Sequence, residues 1–218
     1  MKWRTYLPEL FSNNRLGKIM VMCFQVFSWW QYCTNINFTY QNNMFTTFPI
    51  TGANFLMANL AWLLYYLGGE FYLINLLQTK LLAANPLVVI RNEKRTTIFQ
   101  NCLLTVVLFS LVYNLLFISL IVIMTKNKLN YWFLVKLFST LWLSFTVFIL
   151  LALTCSLIER ILGWIIPLLL SVISLALKSN YLIMVTNSVT WSVNISNAIW
   201  FIVLIILLEQ INQRLETK

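Results

Sequence analysis

Between residues 98 and 124 the sequence carries no charged side chain at all. A helix of about 20 apolar residues already crosses a bilayer. A run of this kind cannot lie in water. Once water is excluded, every backbone N–H and C=O in it also needs an internal partner, which a helix supplies residue by residue. The same signature recurs along the chain. Six apolar runs near or above spanning length occupy residues 16–34, 55–82, 98–124, 131–157, 161–177 and 195–208. They are continuous, whereas the strands of a membrane barrel would show short alternating segments. The whole chain of 218 residues is 60% hydrophobic with a mean hydropathy of +0.79, more apolar surface than a soluble domain can hide. The expected fold is all-α: one polytopic membrane domain over residues 1–218 with six transmembrane helices and no internal repeat.

The residue types present narrow the chemistry. The chain has no His and no Asp, which removes His-based triads, His-ligated zinc and Asp dyads. The four Cys (Cys23, Cys33, Cys102 and Cys155) have no metal-type or redox-type spacing. Each lies within or at the end of an apolar run, where cysteine serves as a small buried hydrophobe. We expect no catalytic residue, no metal and no enzyme activity in this chain.

A net charge of +9 would suit nucleic acid if it formed one basic face interleaved with aromatics. Instead the basic residues stand at the ends of the apolar runs. Eleven of the fifteen fall on one side: Lys2, Arg4, Arg15, Lys18, Lys80, Arg91, Lys94, Arg95, Arg160, Arg214 and Lys218. Lys126, Lys128, Lys136 and Lys178 fall on the other. Short membrane loops rich in Lys and Arg stay in the cytoplasm, so both termini are expected there and the uncharged, Asn-rich residues 35–54 outside. Nucleic acid is not an expected partner; the lipid bilayer is.

Two shorter stretches complete the layout. Residues 1–15 place Trp3, Tyr6, Leu7, Leu10 and Phe11 on one helical face, with charges on the other. This is the pattern of an interfacial helix lying flat on the membrane, although Pro8 fits only a first turn. No small-residue cleavage site follows, so a cleaved signal peptide is not expected. Residues 178–194 contain an apolar core too short to cross, and are expected to dip into the outer face and return.

The most distinctive connection is residues 84–97, between the second and third runs. Arg91, Asn92, Glu93, Lys94 and Arg95 pack four charges into five positions, in a chain that is 10% charged. Charges in the bilayer centre cost about 2.5–3.5 kcal/mol each or more, so this bracket lies at a membrane face. A plain cytoplasmic loop obeying the charge rule is one account of it. The density of charge favours docking to another protein through charge-assisted contacts, with Arg91 and Arg95 on one face if the turn is helical.

Six spans with both ends inside, a flat N-terminal helix and a charged second connection resemble the membrane subunit of a type-2 ATP-binding-cassette exporter. The similarity is to the small bacterial branch associated with peptide antibiotic export and immunity. It is carried by LVVIRNEKRTTIFQNCLLTVVLFSLVYNLLF, about thirty residues: an Arg, a polar turn, a second basic residue, then the third helix. The resemblance implies that residues 84–97 form a cytoplasmic coupling helix docking on a separate ATPase, with Arg91, Asn92, Glu93, Lys94 and Arg95 as its contacts. It further implies a second permease copy or sister subunit, ATP and Mg on the partner ATPase, and placement in a bacterial cell membrane. The short stretch before the last run is similar to the outward re-entrant helices of that family.

Four polar residues inside the apolar runs are candidates for a path or for packing. Glu70 follows Gly68 and Gly69, a pair that permits close helix approach or a kink. It is either ion-paired near the cytoplasmic half or turned toward protein or water, as intramembrane acids usually are. Gln25, Ser28 and Gln31 stand at i, i+3, i+6, broadly one face, where polar groups commonly join helices to one another. Lys136 is expected to snorkel outward on its long stem. With five Gly and no G-x-x-x-x-G-K-[ST] loop, no nucleotide site is expected on this chain. The functional expectation is a permease subunit moving a peptide or lipid-like amphipathic cargo. Two rivals are a substrate-binding membrane subunit of an energy-coupling vitamin importer and a stand-alone membrane immunity or regulatory protein.

Overall fold

The computed structural model describes residues 15–35, 60–81, 95–125, 131–177 and 191–216. Among them every regular element is helical: α1 (Arg15–Asn35), α2 (Leu60–Leu81), α3 (Arg95–Thr125), α4 (Tyr131–Ile158), α5 (Leu162–Leu177) and α6 (Trp191–Glu216). Each falls on one of the six apolar runs. Within α3, α4 and α6 the segments Phe99–Leu120, Leu134–Ile158 and Asn194–Ile211 are long and apolar enough to cross a membrane. Shorter apolar segments, Gly17–Ser28 and Leu162–Ile173, lie in α1 and α5. Three such helices mark an all-helical membrane protein.

Of the interfacial helix expected over residues 1–15, residues 1–14 lie outside the described residues and Arg15 is the first residue of α1; the bracket residues Arg91, Asn92, Glu93 and Lys94 also lie outside them. Arg95 is the first residue of α3, so the third helix begins inside the stretch expected as a turn. Residues 178–190 also lie outside the described residues. Trp191–Asn194, expected to end the re-entrant stretch, form the first turn of α6.

α4 is the axis of the bundle. It packs against α6, α5, α3 and α2, while α1 packs chiefly on α2. Its apolar segment is 67% buried within the chain, against 28% for α3 and 22% for α6. Phe145, Val147, Phe148, Ile149 and Leu150 are fully buried. A helix surrounded on all sides shows no polar face, and α4 accordingly hides its hydroxyls by returning them to its own backbone: Ser144 Oγ to Leu141 O (3.1 Å), Thr154 Oγ1 to Leu150 O (2.7 Å) and Ser156 Oγ to Leu153 O (2.7 Å).

α4 and α5 meet through a tight turn at Glu159–Ile161, closed by Leu162 N–H donating to Glu159 O at 3.0 Å. Just beyond it, a Cβ on Gly163 would stand 2.5 Å from Ser156 Cβ and 2.9 Å from Ala152 O, so only glycine lets the two helices approach this closely. Pro167 inside α5 donates no backbone hydrogen bond, and its own carbonyl accepts from Ser171 Oγ at 2.6 Å. Cys102 is buried as expected for a small hydrophobe, but Cys155 is half-buried and Cys23 is exposed on the outer side of α1. In a lipid-facing helix an apolar side chain gains as much outside as inside, which is why the inward expectation fails for Cys23.

Candidate functional site

The interior of the bundle is a seam where α2, α3 and α4 converge, made of aromatic rings. Tyr113 of α3 stacks on Phe145 of α4 at 4.7 Å and 10°. Tyr65 of α2 packs against Tyr113, Phe117 and Phe145, and Tyr66 stands edge-on to Phe148. Such pairs add about 0.5–1.5 kcal/mol each beyond the area they bury.

The rings bring hydroxyls into an apolar core, and each has a partner on another helix. Tyr113 O–H donates to Tyr65 O (2.7 Å), Tyr65 O–H donates to Asn114 Oδ1, and Tyr66 O–H shares a hydrogen bond with Ser144 Oγ (2.7 Å). Asn114 Nδ2 donates back to Ser110 O (2.6 Å). Ser110 Oγ in turn receives Trp142 Nε1–H at 3.0 Å and Thr146 Oγ1 at 2.8 Å, both from α4. Ser110 and Asn114 stand one helical turn apart, so a single face of α3 serves both neighbours.

Gln25 joins this seam from α1: its Nε2 donates to Tyr113 O at 2.8 Å. Ser28 is buried on the same helix, but its Oγ meets no hydrogen-bond partner among the described residues. Gln31 lies in α1 with its side chain outside the described residues. Gln25 thus ties helices together, while Ser28 has no such partner among the described residues.

Glu70 places a carboxyl in this interior. It sits on α2 directly after Gly69, with no solvent exposure, and neither Oε1 nor Oε2 has a hydrogen-bond partner among the described residues. The helical neighbours that share its side of α2 are Tyr66, Leu73, Ile74 and Leu77, all buried. A buried ionised carboxylate without a partner costs several kcal/mol, while an unsatisfied neutral polar group costs about 1–3 kcal/mol. The expectation of an ion pair finds no cation among the described residues, whereas the close approach expected from Gly68 and Gly69 is present. A Cβ on Gly68 would meet Phe24 of α1 at 3.2 Å, and one on Gly69 would press on Phe145 and Tyr113.

A second polar joint fastens α6 to α4. Asn194 accepts from Thr140 Oγ1 (2.7 Å) and donates to Ser139 Oγ (2.8 Å). Lys136, half-buried on α4, holds its Nζ 5.8 Å from the centre of the Trp191 ring, a cation–π distance. Tyr65, Tyr113 and Asn114 were not singled out by the sequence. The usable signal was present only as polar residues one turn apart, Ser110 with Asn114 and Thr140 with Ser144.

Among the described residues no group of three Cys or Glu side chains is placed to hold a metal ion. The arrangement offers a closed, hydrogen-bonded packing seam with one unpartnered acid in it. No protein-family model, curated protein or solved structure matches the chain.

Proposed function

We propose that the chain is the membrane permease subunit of an ATP-driven exporter, with six spans and both termini in the cytoplasm of a bacterial cell. A separate cytosolic ATPase would bind ATP and Mg, and a second permease copy or sister subunit would complete the path. One observation carries this reading. The charged run from Arg91 to Arg95 adjoins α3 in sequence, with Arg95 as that helix's first residue. In this reading a push on the run would reach α3, whose Tyr113, Asn114 and Ser110 are bonded to α2 and α4.

The cargo in this reading is a peptide or lipid-like amphipath taken from the membrane or the cytosol. Broad apolar outer faces support it: Ile19, Met22 and Phe27 on α1, and Ile199, Ile202 and Ile206 on α6, are exposed in the single chain.

The test is co-purification. Arg91→Glu with Arg95→Glu, expressed beside a cytosolic ATPase that co-purifies with the wild-type chain, should lose that partner while the permease still inserts and folds. Full recovery of the ATPase with the charge-reversed chain would refute docking at this site.

A further inference from the structure

The carboxyl of Glu70 is closed off on every side that the described residues show, and neither oxygen has a hydrogen-bond partner among them. Leu73 and Ile74 are fully buried beside it on α2, and Tyr66 is nearly so. Gly69, its immediate neighbour, is packed against Phe145 and Tyr113 too tightly to admit a methyl group. Among the described residues no cation pairs with the carboxyl, and a bound proton is the smallest group that makes it neutral.

Among the described side chains, the ionisable groups on the helices packed against α2 do not change this balance. α5 carries none between Leu162 and Leu177. α4 contributes Cys155, half-buried, and Lys136, whose ammonium lies over Trp191. α3 contributes Tyr113, whose hydroxyl is engaged by Tyr65 O, and the buried thiol Cys102. α1 contributes Lys18 and the exposed Cys23. Among the described residues none of these cations is ion-paired to Glu70.

We propose that Glu70 is a proton-binding site whose occupancy is tied to the packing of α2 on α4. The carboxyl holds its proton while the seam is closed. When the two helices part and water reaches the group, the O–H bond breaks, the proton passes to water, and the carboxylate left behind opposes reclosure. Buried ionised carboxylates without partners are unfavourable for the reason that drives this coupling, and intramembrane acids mark proton relays in other membrane proteins. The site would act in this way whether or not an ATPase drives the opening.

Infrared spectroscopy of the full chain in lipid nanodiscs tests it. All six acidic side chains are Glu, and the five others can be titrated as a class. At neutral pH the wild type should keep one carboxylic-acid C=O band, at the high frequency of a group free of hydrogen bonds. The wild type minus Glu70→Gln difference should assign that band to Glu70. If the variant does not fold, the wild-type titration alone decides. A band that disappears together with those of the other five acids, or a carboxylate signal lost in the difference spectrum, overturns the proposal.

Discussion

Replacing Gly69 by alanine probes the bundle at its tightest point. The new Cβ would press directly on Phe145 Cζ, with Phe145 Cε2 at 3.0 Å and Tyr113 Cζ at 3.1 Å. Carbon atoms in contact normally stand about 3.5–4.0 Å apart. The rings have nowhere to go. Phe145 is fully buried, lies parallel to Tyr113 and touches Tyr65 and Tyr66. Two effects oppose one another. Removing a glycine from a helix interior gains about 1 kcal/mol, and forcing a methyl into a full core costs about 1–3 kcal/mol. Because three ring atoms are crowded at once, the cost falls near the top of that range and the variant should lose about 1–2 kcal/mol. Gly68→Ala is the control, since its Cβ would meet only Phe24, at 3.2–3.3 Å, and Phe24 is half-buried. There the two effects nearly cancel, within about 0.5 kcal/mol. Reversible unfolding in mixed detergent micelles, followed by circular dichroism, measures both. Equal effects at the two glycines, or a Gly69→Ala protein as stable as the wild type, would refute the packing described for this seam.

Three further substitutions test the bundle's hydrogen bonds by the same assay. Tyr65→Phe should cost about 1–3 kcal/mol because Asn114 Oδ1 is left without the hydroxyl that meets it, whereas Tyr66→Phe should cost less than about 1 kcal/mol because Ser144 keeps its bond to Leu141 O. Asn194→Ala should cost about 0.5–1.5 kcal/mol; the loss stays small because Thr140 and Ser139 also bond to Lys136 O, and a loss beyond about 3 kcal/mol would mean that Asn194 holds more than those two hydroxyls.

The helical character of the chain was legible because the apolar runs are continuous and near or above spanning length, and no alternating period interrupts them. The run expected over residues 98–124 lies inside α3, Arg95–Thr125, and the one over 131–157 nearly coincides with α4. Which side of each helix turns inward was not legible. Lipid and protein interior are equally apolar, so the periodicity that orients a helix in water is nearly silent here. Cys23 shows the consequence, expected inside and found outside. The tyrosines show the converse: Trp and Tyr as a class favour membrane–water interfaces, yet Tyr65, Tyr66 and Tyr113 are all buried. Glu70 was conspicuous as an acid in an apolar run, but its lack of a partner depends on where four other helices lie. No sequence spacing encodes that.

The brevity of α5 has a consequence for the surrounding lipid. Its sixteen residues rise about 24 Å, whereas the hydrocarbon layer is about 30 Å deep. Pinned to α4 by the glycine contact at one end, this helix cannot slide to share the deficit evenly. If α5 crosses the bilayer with its described residues alone, as the proposed six-pass reading has it, the lipid beside it would dimple, drawing in shorter acyl chains and thinning the barrier along one flank of the molecule.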